Sequence, residues 1–226
     1  MDRRPFPTRA ARRLPRLAAA SLALLAGALG AHLRAQTPTQ TPTQTPPART
    51  AVATFAAGCF WCAESDFEKV RGVVDAVSGS TGGRVANPTY EQVSGGGTGH
   101  REAVRVTYDP ARVGYARLLE VFWHAVDPWD TDGQFCDRGP QYTAAVYVHD
   151  AEQRRLAEAS RRALRPAGGA PGQAIATAIV DAGPFYPAEA YHQAYAARNP
   201  LRYRFYRTTC GRDGRLRAVW GAAATH

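Results

Sequence analysis

Between residues 51 and 182 the chain changes repeatedly from apolar runs and alternation to helical spacing. Val52 to Ala56 is a short apolar run that predicts a buried strand. Phe60, Ala63, Phe67 and Val70 then recur at the spacing of a core-facing helix over Cys59 to Val70. Val73 to Val77 predicts a second strand. From Thr81 to His100 the chain is glycine-rich and without period, which predicts a long loop, and loops of that length in compact domains tend to carry function. Glu102 to Tyr108 alternates as a strand does and stops at Asp109-Pro110, after which Tyr115, Leu118, Leu119, Phe122 and Val126 mark an amphipathic helix. A polar loop, Asp127 to Gln141, leads into a strand over Tyr142 to Val148. Asp150 can cap a helix running to about Leu164, and the turn Gly168 to Gly172 precedes a last strand, Ala174 to Ala182. A short helix near Tyr191 and an arginine-rich stretch without period complete the chain.

The order β-α-β-β-α-β-α-β predicts an α+β fold. We expect a two-layer sandwich whose mostly antiparallel sheet is built on a split β-α-β (ferredoxin-like) core, followed by an irregular C-terminal tail. A thioredoxin fold, which a C-x-x-C at a helix start would otherwise suggest, fits this order less well.

The first 35 residues follow a different pattern. Arginines crowd Met1 to Arg16, Leu17 to Gly30 is apolar, and small residues at Ala31 and Ala35 offer cleavage sites. This is the grammar of a secretory signal, too short for a comfortable membrane span, so export to the periplasm or cell envelope is expected and membrane contact only if the leader stays attached. Residues 36–50 form a Pro/Thr/Gln-rich tract with nothing to bury, expected to be a disordered spacer. Residues 51–226 remain as one catalytic domain, expected to be monomeric and long enough for a sizeable core. The formal charge of +9 comes mostly from the leader. Removing its seven of 28 basic and one of 19 acidic residues leaves 21 against 18, with the arginines scattered, so no nucleic-acid surface is expected.

Chemistry concentrates at Gly58-Cys59-Phe60-Trp61-Cys62, where a strand gives way to a helix. Unpaired N–H groups and the positive end of the helix dipole stabilise a thiolate at such a junction, which makes Cys59 a candidate nucleophile. Phe60 and Trp61 can wall a small apolar pocket beside its sulfur. Four cysteines, at 59, 62, 136 and 210, leave structural disulfides open as an alternative, while a zinc site lacks the second close pair of ligands it normally needs. No metal and no bound cofactor is expected.

These residues resemble the A-type peptide methionine sulfoxide reductases. The resemblance rests on Gly58-Cys-Phe-Trp-Cys-Ala-Glu64, Asn87-Pro-Thr-Tyr90, Thr98-Gly-His-Arg-Glu-Ala-Val104, Asp137-Arg-Gly-Pro-Gln-Tyr142 and Ala188-Glu-Ala-Tyr-His-Gln-Ala-Tyr195, in family order. It implies thiolate attack by Cys59 on the S epimer of methionine sulfoxide, with Glu102 as the catalytic acid. It further implies that Tyr90 and Tyr142 bind the sulfoxide oxygen, that Asp137 holds polar groups there, and that Phe60 and Trp61 receive the S-methyl group. A sulfenic acid on Cys59 would then be resolved by a second thiol and reduced by a thioredoxin-like donor. The candidates to resolve it are Cys210, Cys62 and Cys136. Cys210 ranks first, because a mobile tail escapes the strict geometry that a disulfide demands. A general dithiol oxidoreductase using Cys59 and Cys62, or a zinc-binding module without turnover, are the competing readings.

Overall fold

The computed structural model describes residues 49–164 and 173–221. The expected signal segment, nearly all of the spacer and the turn at 168–172 lie outside the described residues. No helix among the described residues is long and apolar enough to cross a membrane.

The elements in chain order begin with β1 (Ala51–Ala56), α1 (Phe60–Glu68), β2 (Val73–Thr81), α2 (Tyr90–Ser94), β3 (Arg101–Tyr108) and α3 (Tyr115–His124). A two-stranded ribbon, β4 (Gly133–Gln134) and β5 (Asp137–Arg138), precedes a 3-10 turn at Pro140–Tyr142, β6 (Ala145–Val148) and α4 (Ala151–Ala163). β7 (Ala178–Asp181), β8 (Phe185–Pro187), α5 (Tyr195–Arg198), α6 (Pro200–Thr209) and α7 (Arg212–Trp220) follow. The main sheet has the order β7-β6-β1-β3-β2-β8; β3 lies between β1 and β2 and runs antiparallel to both, and only the β6–β7 pair is parallel. The fold is α+β with a mixed sheet.

Alternation decides which side chains meet the helices. Ala53 and Phe55 from one face of β1 and Ala57 just beyond it, with Val104 and Val106 of β3 and Val146 and Val148 of β6, pack against Phe67 of α1 and Leu118, Leu119 and Phe122 of α3. Phe55 sits at the centre, its ring 4.9 Å from Phe67 and 5.2 Å from Phe122. Full burial of such a side chain contributes about 1.5–3 kcal/mol. α4 joins this layer where the Trp123 indole donates to Ser160 Oγ at 2.9 Å, and its start is capped by Asp150, whose carboxylate accepts the Gln153 N–H at 2.7 Å.

Three expectations need correction. The segment from 81 to 100 holds the short helix α2, started by a capping box in which Thr89 and Gln92 exchange side-chain-to-backbone hydrogen bonds. The strand expected over 174–182 is only β7, and Phe185–Pro187 forms an unexpected edge strand on β2. The tail is not irregular but helical, as α6 and α7. α6 has no fully buried residue and exposes Leu201 and Phe205, so it carries no apolar stripe to read; polar contacts hold it instead, with Arg207 of α6 paired to Asp66 of α1 at 3.0 Å.

Candidate active site

The site begins at the turn between β1 and α1. Gly58 adopts φ +76°, and a Cβ there would stand 2.6 Å from Gln134 Cβ, so the turn and the close approach both require glycine. This turn sets Cys59 at the N-cap of α1, where its carbonyl accepts the N–H groups of Cys62 and Ala63. The Phe60 N–H, unpaired within the helix, donates to a Glu102 carboxylate oxygen at 2.9 Å.

Glu102 reaches that point through strand alternation. It shares a face of β3 with Val104, Val106 and Tyr108, all core residues, and ends that row beneath the start of α1 at 2% exposure. Burial pushes its pKa up to about 8, against the Phe60 N–H and with help from the charges of Asp137 and Cys62. Glu102 therefore holds a proton at neutral pH. Tyr90 opens α2 and Tyr142 ends the 3-10 turn; burial raises both phenols, with the charge of Glu102 adding to it, so both remain hydrogen-bond donors. Asp137 stands on the β4–β5 ribbon, whose partner strand begins at Gly133 because a Cβ there would lie 2.1 Å from the Asp137 carbonyl.

A cavity of about 60 Å³ gathers these groups: Cys59, Phe60, Trp61, Tyr90, Glu102, Asp137 and Tyr142 all line it, together with Tyr206. The sequence reading missed Tyr206, which lies on α6 in the stretch without period. Its hydroxyl donates to Asp137 at 2.5 Å, and its ring shares the cavity lining with Cys59. Trp61 is fixed by stacking on Tyr195 at 3.7 Å and by donating its indole N–H to His192 Nδ1 at 3.1 Å.

The four cysteines fall into two pairs. Cys59 and Cys62 are free and buried, whereas Cys136 and Cys210 form a disulfide across 74 residues, tying the end of α6 to the turn between β4 and β5. Among the described residues the cluster of candidate metal-ligating groups is Cys136, Asp137 and Cys210, and the disulfide occupies both of its sulfurs.

Electrostatics differ from the simple helix-start expectation. Burial pushes the Cys59 thiol up, and the Cys62 sulfur and Glu102 add to this; the Tyr206 hydroxyl opposes it. Cys62 is drawn down to about 7, first by the hydrogen bond from Cys59 and then, against burial, by Arg212 and Arg207. The helix N–H that would have served Cys59 is engaged by Glu102, and burial favours the neutral form of the Cys59 thiol. Arg212, also missed, is 1% exposed. It donates to the carbonyls of Ala57 and Ala125 at 3.2 and 2.8 Å and lies 4.6 Å above the Phe135 ring. It makes no ion pair within 4 Å among the described residues, and its charge acts on both the Asp137 carboxylate and the Cys62 sulfur.

Comparison with known proteins is consistent with this arrangement. The family model described as peptide methionine sulfoxide reductase matches residues 51–224. The chain is 53% identical over 175 residues to peptide methionine sulfoxide reductase MsrA 2 of Caulobacter vibrioides, covering 76% of this chain and 87% of that one. It is 49% identical over 170 residues to the MsrA of Bacillus licheniformis, covering 75% and 93%. Among solved structures it is similar to methionine sulfoxide reductase A of Corynebacterium diphtheriae, with a TM-score of 0.60, 34% identity and coverage of 69% and 77%. It is likewise similar to Mxr1 of Saccharomyces cerevisiae in reduced form, with a TM-score of 0.61, 31% identity and coverage of 69% and 88%.

Proposed function

The chain belongs to the peptide methionine sulfoxide reductase family, and from that premise we propose that it reduces the S epimer of methionine sulfoxide, free and in proteins, with Cys59 as nucleophile and Glu102 as acid. The observation that carries this is the meeting of a buried carboxyl with a buried thiol in a cavity walled by Phe60 and Trp61.

The chemistry follows from the groups present. The sulfoxide oxygen accepts hydrogen bonds from Tyr90 and Tyr142 while its methyl group lies against the two aromatic rings, where shape and dispersion select it. Cys62 takes the Cys59 proton, and the Cys59 thiolate attacks the sulfoxide sulfur as Glu102 delivers a proton to the oxygen. The hydroxyl passes from the substrate sulfur to the Cys59 sulfur as the S–O bond and the transient S–S bond break, the electron pair of the latter staying on the methionine sulfur, so methionine leaves reduced by two electrons and Cys59 becomes a sulfenic acid. The Cys62 thiol then displaces that hydroxyl as water and closes a Cys59–Cys62 disulfide. We assign this resolving step to Cys62 rather than Cys210. Cys59 at the N-cap and Cys62 at N3 are the positions whose side chains converge at a helix start, and Cys210 is already bonded to Cys136.

Each turnover leaves a disulfide that needs two electrons from outside, and we propose a thioredoxin-like dithiol protein as donor, with no bound cofactor. We further propose that the leader directs a monomeric domain to the cell envelope, where oxidised proteins would be repaired; intact, unprocessed protein confined to the cytoplasm would contradict this. We read the interleaving of β3 between β1 and β2 as a split β-α-β core. The reductase reading is tested with separated epimers of dabsyl-methionine sulfoxide and dithiothreitol. Turnover of the S epimer alone is expected, and equal consumption of both, or of neither, would overturn it.

A further inference from the structure

Beside the catalytic cavity runs a groove of about 460 Å³ that shares Trp61 and Tyr90 with it. Its remaining walls include Tyr191, Tyr195, Arg198 and Arg202. We propose that this groove binds the residue next to methionine sulfoxide in a peptide substrate and favours an acidic side chain there, an inference that rests on the reductase reading above.

Continuity gives the first argument. A peptide whose sulfoxide enters the cavity between Trp61 and Tyr90 carries its adjoining residue across the rim those two rings form, into the groove. The floor there is rigid and aromatic, since Tyr195 is stacked on Trp61 and Tyr191 is half exposed against His192 with ring centroids 4.1 Å apart. Such surface suits the stem of a side chain.

Charge gives the second. Arg198 and Arg202 are the charged residues of the lining, and neither pairs with an acid among the described residues. Arg198 donates through Nη1 to the Ala190 carbonyl at 2.7 Å, which holds its guanidinium in place, while Arg202 stands exposed on the first turn of α6. Arg138, Arg154, Arg155, Arg207 and Arg215, by contrast, each meet a carboxylate. The acids closest to this region, Glu91 and Glu189, act on His192 but do not line the groove, and Glu189 is occupied by the Tyr90 N–H at 3.0 Å. A third observation is an unused donor. Nδ1 of His192, a residue of the groove lining, accepts the Trp61 indole, so its proton is on Nε2, which is buried with no acceptor of its own.

The test compares peptides holding one methionine sulfoxide with Glu or Lys at each flanking position, reading the Glu/Lys ratio of kcat/KM within each enzyme so that differences in folding or rate cancel. Wild type should favour Glu at a flanking position by about two- to fivefold per arginine at low salt, with the preference fading at about 0.5 M salt. The doubly substituted R198E/R202E enzyme should invert the ratio. A ratio of one at every flanking position, or a preference that R198E/R202E leaves in place, would overturn the proposal. Turnover of N-acetyl-methionine sulfoxide amide, which has no flanking side chain, tests the reductase reading separately; if neither it nor any peptide reacts, both readings fail together.

Discussion

Two pairs of cysteines stand near one small pocket, Cys59 in its lining and Cys210 4.0 Å from the Asp137 carboxylate, and their surroundings set them to opposite tasks. Cys59 and Cys62 are buried, reduced and adjacent at the start of α1, with Arg212 and Arg207 supporting a negative charge between them. Cys136 and Cys210 are oxidised and more exposed, and they join the β4–β5 turn to the end of α6. Cys59 of the first pair lines the cavity, with Cys62 one helical turn behind it. The second holds in register the two elements that carry Asp137 and Tyr206, whose hydrogen bond closes the cavity's far wall. The difference teaches that spacing in sequence says little about which thiols react; the charge and shape around each sulfur decide it.

Replacing the nucleophile breaks the comparison most severely. Cys59→Ser should abolish methionine sulfoxide reduction even with excess dithiothreitol, whereas Cys62→Ser should still release one equivalent of methionine per enzyme and then stall with a thioredoxin-like donor. Turnover by the Cys59 variant would end the account. Next comes the acid. Glu102→Gln should slow the chemical step by about 10²-fold or more below pH 8. Because Glu102 has its pKa raised to about 8, wild-type activity should fall as pH rises through that value. The variant should lack that falling limb, so the gap narrows at high pH. A variant within about twofold of wild type across the pH range would remove Glu102 from the mechanism.

Arg212→Met should move the first ionisation of the dithiol upward from about 7 by roughly one unit, read as a shift in the pH profile of iodoacetamide alkylation. An unmoved profile would detach the buried arginine from the thiols. The mildest effect on chemistry is expected from the second pair. Cys136→Ser/Cys210→Ser should lower stability to denaturant by about 2–4 kcal/mol. It should raise KM more than it lowers kcat and leave the single-turnover yield intact. Loss of turnover with unchanged stability would reverse the roles of the two pairs.

Much of this was legible in the residues. Alternation in Glu102 to Tyr108 gives the strand, while the role of Glu102 was legible only through the family resemblance, since a strand-end carboxylate ordinarily faces solvent. The apolar spacing of Tyr115 to Val126 gives α3, and Gly58-Cys59-Phe60-Trp61 marks the helix start. What could not be read is held by polar contacts between distant segments. α6 has no buried residue and α7 buries only Leu216 and Val219 beside Arg212; the Arg207–Asp66 pair, the Arg212 bonds to two carbonyls and the disulfide help to dock them. Tyr206 and Arg212 were missed with them. Separation is the reason: Tyr206 stands 69 residues from Asp137 and Arg212 stands 155 from Ala57, and no local period reports such contacts.

The most direct test of the two-pair account is disulfide mapping after a single turnover. Enzyme with its surface disulfide intact is mixed with one equivalent of methionine sulfoxide without reductant, quenched by alkylation and digested for mass spectrometry. We predict a new Cys59–Cys62 linkage beside an unchanged Cys136–Cys210 linkage. A Cys59–Cys210 or Cys59–Cys136 linkage would contradict it.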